Sequence, residues 1–490
     1  MNERVSDILV ITERHPLLQQ IAGVAAEQDL LPVYLVGGFL RDALLEYPGT
    51  FDIDLVSTDP FSLSAALQER FEGKAICLAE GVRRVVFPWR GERVQVDIAP
   101  LRRDGIVEDL VHRDFTMNAL AVSLGEEPPR LIDPAGGLAD LSQRRIRVND
   151  PRVLAEDPLR LLRSVRLAAQ LQFIIDETTA QAIYRQASLL MQVAPERVRE
   201  EFFEILDCAE GGRWLAAMDE LGLLEALLPE IRLMRGCLQG PPHRYDVFTH
   251  SLEMVRSLDR ILLALPNLLP DEAVSLGGAL RTEVEGGISR QALLRFTALL
   301  HDVGKPDTRS VEDGQIRFLG HAARGAGMVH EISHRLRLGS RASGMTVALV
   351  QEHLRPLSLR EAKNITPRAR YRFWRDLGPL APDVLVLSLA DIRATWGNEG
   401  ADFQEHLRFV REMFAFQQER ITPTGPPKLV DGHELMARMD LRPGPFVGFL
   451  LERLREEASV GSLRTKEEAF QYLDRHLPVL REAFARGETP

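Results

Sequence analysis

Two carboxylates on one extended stretch, Asp52 and Asp54 in Phe51-Asp-Ile-Asp-Leu-Val56, are the first residues whose spacing suggests chemistry. Along a strand, positions i and i+2 point to one face. Two acids held side by side repel unless a divalent cation joins them, and hard Mg²⁺ prefers such oxygens. Metals bridged by carboxylates suit in-line displacement at phosphorus, one activating a hydroxyl and one holding a triphosphate. Just upstream, Gly37 and Gly38 separate a strand-like stretch ending at Val36 from the helix-like Phe39-Leu-Arg-Asp-Ala-Leu-Leu45. Glycines at such a turn leave room for an anion before free backbone N–H groups, and Arg41 can fork onto a phosphate. Asp97, in Val94-Gln-Val-Asp-Ile98, is either a third carboxylate of this set or a solvated edge position. Further on, Asp157 and Arg160 stand at i and i+3, the spacing of one helix face. A carboxylate accepts from the amino group of cytosine or adenine, and a guanidinium donates to ring nitrogen or carbonyl. An ordinary salt bridge is the plain alternative.

These residues need elements to hold them. Residues 30–150 mix strand-length apolar runs with helical segments, as α/β or α+β domains do. From Pro158 onward apolar residues recur at three- and four-residue spacing, which predicts an all-helical remainder. Gly and Pro punctuation predicts joints at about 212–245, 266–289 and 420–430, with residues 277–287 as a surface insertion. The chain has 490 residues, 45% hydrophobic and 27% charged, which implies several domains and excludes a disordered or fibrous protein. Three distant cysteines, Cys77, Cys208 and Cys237, provide neither a disulfide framework nor a thiolate metal site. No run of apolar residues is long enough to span a membrane, and the start has no secretory pattern, so a reduced, cytoplasmic protein is expected.

The ordered motifs resemble those of class II tRNA nucleotidyltransferases and bacterial poly(A) polymerases. Gly-Gly-x-x-Arg-Asp at 37–42 and Asp-x-Asp at 52–54 resemble the opening motif. Arg113-Asp-Phe-Thr116 resembles the ribose-holding motif, although His112 stands where the family has an arginine. Glu156-Asp-Pro-Leu-Arg160 resembles the base-reading motif, and Pro195-Glu-Arg-Val-Arg-Glu-Glu201 the next helical one. The resemblance implies that Gly37, Gly38 and Arg41 cradle triphosphate and that Asp52 and Asp54 hold Mg²⁺. It also implies that Arg113 and Asp114 hold ribose, that Asp157 and Arg160 read the base, and that Arg163 meets phosphate. His250, His301-Asp302 and Asp391 resemble the set of the HD phosphohydrolase superfamily, which implies a second divalent metal activating water. His321 and His353 could complete a two-metal version, whereas His330, His334 and His406 are read as ordinary core or surface residues.

The expected architecture is multidomain α+β: a polymerase-β-like nucleotidyltransferase head (1–150), a helical neck (151–215), a linker (216–245), an HD domain (246–400) and a helical tail (401–490). Only fourteen residues, Ala99 to His112, separate the strand ending at Ile98 from Arg113. Full CCA-adding relatives have a longer flexible loop here, so the resemblance implies a CC-adding enzyme that uses CTP on the tRNA 3′ end. A separate A-adding enzyme would then follow. Alternatives are a full CCA-adding enzyme using ATP as well, a poly(A) polymerase, and an HD hydrolase whose head only binds RNA. The net charge of −11 argues against indiscriminate nucleic-acid binding. Within 332–375, however, ten basic residues face two acidic ones, and that run is expected to grip RNA.

Overall fold

The computed structural model describes residues 15–46, 52–102, 105–126, 128–362, 365–397, 399–420 and 429–487. They form two compact units, Met1–Ala209 with Ala216–Pro229, and Glu210–Leu215 with Glu230–Pro490.

The first unit is built on seven strands: β1 (Val33–Val36), β2 (Asp52–Ser57), β3 (Lys74–Ala79), β4 (Val82–Trp89), β5 (Glu92–Pro100), β6 (Ala121–Leu124) and β7 (Leu131–Ile132). Their order is β3-β4-β5-β2-β1-β6-β7. Only β2 and β5 run parallel, so the sheet is mixed, as expected of the head. β1 is buried along its whole length, which is why it reads Val-Tyr-Leu-Val without polar alternation. Register matters most here: Val36 lies opposite Asp54, and Asp54 lies beside Asp97. Two neck helices, Leu159–Leu171 and Pro195–Asp207, pack on one another. Both follow the rule that proline is tolerated where a helix starts.

The second unit is mostly helical. Helices Val247–Leu268, Arg290–Leu300 and Ala381–Trp396 pack together around the HD residues. Asp246 and Ser289 cap the first two by accepting from Thr249 N–H and Ala292 N–H. Helices Gly432–Met439, Pro445–Ser459 and Lys466–Ala485 share a separate apolar cluster around Leu435, Leu450 and Leu473.

The structure corrects the all-helical expectation. Two hairpins, Glu283–Glu285 with Ile288–Ser289 and Ser310–Glu312 with Gln315–Arg317, interrupt the helices. Their central pairs, Gly286-Gly287 and Asp313-Gly314, all have positive φ, which is the backbone a tight two-residue hairpin turn requires. Helix Val247–Leu268 contains Pro266 and ends near the start of the joint expected at 266–289. Residues 421–428, within the expected joint at 420–430, lie outside the described residues, as do Phe51, Lys363 and the residues before His15. The three cysteines are free. Among the described residues, no helix is long and apolar enough to cross a membrane.

Candidate active site and candidate metal centre

In the head, β1 ends at Val36 and the chain turns through Gly37, with φ +78° and ψ −147°, into helix Gly38–Leu44. The antiparallel register lays this turn over Asp54 so closely that a Cβ on Gly37 would sit 2.4 Å from Asp54 Oδ2. Glycine is therefore required twice, for its backbone angle and for its missing side chain. Asp54 is pushed above the usual carboxylate range, chiefly by burial and further by the charges of Asp97 and Asp52; Arg113 and the Gly38 N–H counter this. Asp54, with one oxygen under a glycine turn and Asp52 two residues before it on the same strand, has the donor chemistry of a divalent-cation site. Asp97 is in register beside Asp54 but is not free: Arg84 forks onto it at 2.6 and 2.7 Å.

A chain of polar contacts then leads away from the glycine turn. Arg41 Nη1 donates to Asn118 Oδ1 at 3.1 Å, and Asn118 Nδ2 donates to Asp114 Oδ1 at 3.1 Å. Arg163 Nη1 reaches Asp114 Oδ2 at 3.4 Å, and Arg163 Nε lies 3.5 Å from Glu201, which also binds Arg166 Nε at 2.6 Å. Arg113 lies 3.3 Å from Asp109. Thus Arg41, Asp114 and Arg163 are brought into one network, and Asn118 and Glu201, to which spacing assigns no role, belong to it. Their role depends on contacts across 35 to 77 positions of sequence.

The base-reading pair departs from expectation. Asp157 and Arg160 do not share a helix face, because Asp157 ends helix Arg152–Glu156 in an extended conformation and the next helix starts at Leu159. Pro158 is the reason, since the residue before a proline is driven out of the helical region. Asp157 Oδ2 instead pairs with Arg197 at 3.3 Å, while Arg160 donates to the Val153 carbonyl at 2.9 Å.

In the second unit the His-Asp residues converge. Asp302 is buried, with Oδ2 3.0 Å from His301 Nε2 and 3.7 Å from His250 Nε2. Its other oxygen, Oδ1, lies 3.4 Å from His321 Nε2 and 3.8 Å from His353 Nε2. Asp391 stands 3.1 Å from His250 Nε2. Two metal-sized triplets result, His250–His301–Asp302 and Asp302–His321–His353. The Nδ1 atoms of His301, His321 and His353 each donate to a backbone carbonyl, at 2.9, 2.8 and 2.7 Å. That fixes the tautomer with the Nε2 lone pair facing the cluster. Both Asp302 oxygens and the Nε2 atoms of His250, His301 and His321 are buried without a partner of hydrogen-bond geometry. Buried polar atoms are rarely left so, and this donor set fits a divalent cation. Burial above all pushes His353 down to about 4, which keeps it neutral.

Lys305 and Gly304 complete the arrangement and were not assigned by spacing. Lys305 Nζ lies 2.6 Å from Asp302 and donates to Gln239 at 2.7 Å. A Cβ on Gly304 would meet the His321 carbonyl at 2.3 Å, so glycine lets the turn after Asp302 close on helix His321–Arg335. His406 is a core residue, buried and bonded to Ser388 at 2.8 Å, whereas His330 and His334 are exposed.

Half of the ten basic residues at 332–375 have acidic partners that lie outside the run. Arg335 forks onto Glu230 at 2.7 and 2.8 Å, Arg355 pairs with Asp376 at 2.6 Å, and Arg370 with Glu412 at 2.8 Å. Arg372 meets the fully buried Glu456 at 2.6 Å, and Arg368 pairs with Glu457. Apart from Asp376, which directly follows the run, packing brings these acids from elsewhere in the chain, so the local sum of charge does not include them.

Comparison with known proteins supports the same reading. Residues 33–147 match the family model described as the poly A polymerase head domain. Residues 172–234 match a probable RNA and SrmB-binding site of polymerase A, and residues 247–396 the HD domain. The A-adding tRNA nucleotidyltransferase of Deinococcus radiodurans is 35% identical over 453 residues, covering 90% of this chain and 94% of that protein. This chain belongs to the tRNA nucleotidyltransferase family. As a member it is a tRNA CCA-class nucleotidyltransferase with an HD domain, and the mixed-sheet head followed by helices is the fold of that class. The CC-adding tRNA nucleotidyltransferase of Geobacter sulfurreducens is 34% identical, covering 94% of this chain and 95% of that one. The Thermotoga maritima CCA-adding enzyme complexed with tRNA shares the fold, with a TM-score of 0.67 at 20% identity over 96% of this chain and 98% of that one.

Proposed function

We propose that this tRNA nucleotidyltransferase adds the two cytidines of the CCA end and stops. One observation carries the reading. β5 ends at Pro100, and only twelve residues, six of them in helix Ile106–Val111, lie between it and Arg113. Both ends of that connection are pinned: Leu101 N–H donates to Ser57 O at 2.8 Å, and Ile106 and Leu110 are buried against Tyr34, Val36 and Val56. A connector of twelve residues, half of them in an anchored helix, leaves little length with which to reshape the base pocket for a larger purine.

In this reading the 3′-hydroxyl of tRNA attacks the α-phosphorus of CTP and pyrophosphate leaves. Asp52 and Asp54 would hold Mg²⁺, which supplies charge neutralisation and an activated hydroxyl. Gly37, Gly38 and Arg41 cradle the triphosphate. Arg113 and Asp114 hold the ribose, Asp157 and Arg160 read the cytosine, and Arg163 meets phosphate. In the second unit, His250, His301, Asp302 and Asp391 would hold a divalent metal that activates water, with His321 and His353 offering a second position. The buried imidazole nitrogens that converge on Asp302 favour this hydrolytic site as an accessory activity.

Incubation of the pure protein with tRNA lacking its CCA end, CTP and ATP tests the main reading. Termination after CC is the expected product. Efficient incorporation of A would show that the short connector does not limit the enzyme to cytosine, and ATP-only tailing would indicate a poly(A) polymerase.

A further inference from the structure

We infer that Arg197 is a positioning residue for base selection, holding the Asp157 carboxylate in the orientation from which it reads the incoming nucleotide. The inference rests on the reading of Asp157 given above.

Asp157 cannot be oriented by a helix, because it lies outside both neighbouring ones. Its carboxylate is held by two donors instead. Leu159 N–H reaches Oδ1 at 3.4 Å and Arg197 Nη2 reaches Oδ2 at 3.3 Å. One donor on each oxygen leaves each a further lone-pair direction and fixes the plane in which those directions lie. The backbone donor belongs to Asp157's own turn and moves with it. Arg197 comes from helix Pro195–Asp207, forty positions away, and ties the carboxylate to the neck.

The same helix anchors the rest of the reading surface. Glu201 stands four residues after Arg197, so both side chains lie on one helix face. Glu201 is buried and holds Arg166 at 2.6 Å and Arg163 at 3.5 Å, both on helix Leu159–Leu171, which also carries Arg160. Arg197 and Glu201 thus brace the two sides of the base-reading loop from one rigid element, with opposite charges matched to an acid on one side and to arginines on the other. The Arg197–Asp157 pair is itself part-exposed, with side chains 52% and 31% accessible. A pair so placed adds little to folding, which leaves orientation as its consequence.

Removing Arg197 would free the carboxylate to turn about one remaining donor. A turned carboxylate accepts less well from the cytosine amino group, so discrimination against uracil, which offers a carbonyl there, declines. A part-exposed ion pair couples weakly, so the expected loss is about fivefold in the ratio of kcat/KM for CTP over UTP. Arg197→Ala, Arg197→Gln and Arg197→Lys are compared in the full-length protein by single-nucleotide extension of tRNA lacking CCA. Alanine and glutamine should each lower the CTP-to-UTP ratio, and lysine should restore most of it. A merely structural role would lower both nucleotides alike and leave the ratio untouched. An unchanged ratio in Arg197→Ala and Arg197→Gln overturns the inference. Asp157→Ala separates this from the reading beneath it. If that variant shifts the ratio and the Arg197 variants do not, only the role of Arg197 fails. If Asp157→Ala keeps the parental ratio, Asp157 is not the base reader, and both fail.

Discussion

Replacing Gly37 by alanine loads the head at its tightest point. The added Cβ would lie 2.4 Å from Asp54 Oδ2, 3.2 Å from its Cγ and 3.3 Å from its Cβ. The first distance is 0.6 Å inside the 3.0 Å that real Cβ atoms essentially never cross (3.0 minus 2.4). Strand β2 cannot retreat, because it is paired on one side with β1 and on the other with β5. The Asp54 side chain must therefore turn away. The backbone adds its own cost: at φ +78° and ψ −147°, a residue with a Cβ carries roughly 1–3 kcal/mol of strain. Moving a reacting group by about 1 Å lowers rate by about 100-fold. We expect kcat for C addition to fall about 100-fold in Gly37→Ala, with the larger part of the loss in kcat rather than in KM for CTP. Single-turnover incorporation of labelled CTP reads the rate, and a thermal melt reads the strain. A kcat within about threefold of the parent would refute the reasoning, because the carboxylate would then tolerate displacement.

Other consequences are equally measurable. Asp302→Ala removes oxygens from both His-Asp triplets, so bound Mn²⁺ measured by equilibrium dialysis should be lost from the second unit while C addition continues; unchanged stoichiometry would dismiss the site. Arg372→Ala deprives the buried Glu456 of a charged partner at 2.6 Å and should destabilise the second unit by about 1–3 kcal/mol. The KM for tRNA should stay unchanged; a large rise would restore the basic run as an RNA grip. His406 is pushed from 6.5 down to about 3, first by burial and then by Arg360. The unfolded chain thus binds a proton that the folded chain refuses, and stability should fall as pH drops from about 6.5 towards 3. His406→Gln should flatten that slope in urea titrations; a parental slope would remove His406 as its source.

Much of the site was legible in the sequence because short-range geometry is written in spacing. Asp52 and Asp54 face one way because strands alternate, Gly37 must be glycine at a turn before a helix, and His301-Asp302 follows a helix that is mostly apolar from Ala292 to Leu300. Repeats of three and four residues likewise marked the helical remainder. Some local signals outweigh spacing: Pro158 forbids a shared helix face for Asp157 and Arg160, and Asp313-Gly314 makes a hairpin turn. Pairing between distant residues was different. Arg335 and Glu230 are 105 positions apart, Arg163 and Asp114 are 49 apart, and Arg84 meets Asp97 only through the register of β4 with β5. Such partners are chosen by which surfaces are buried together, and burial belongs to the packed whole, not to any window of the chain. The sequence by itself determined which groups could do chemistry and the local elements that carry most of them. The tertiary structure decided which of their charges are already spoken for, because a charge taken from water must find its partner wherever packing leaves one.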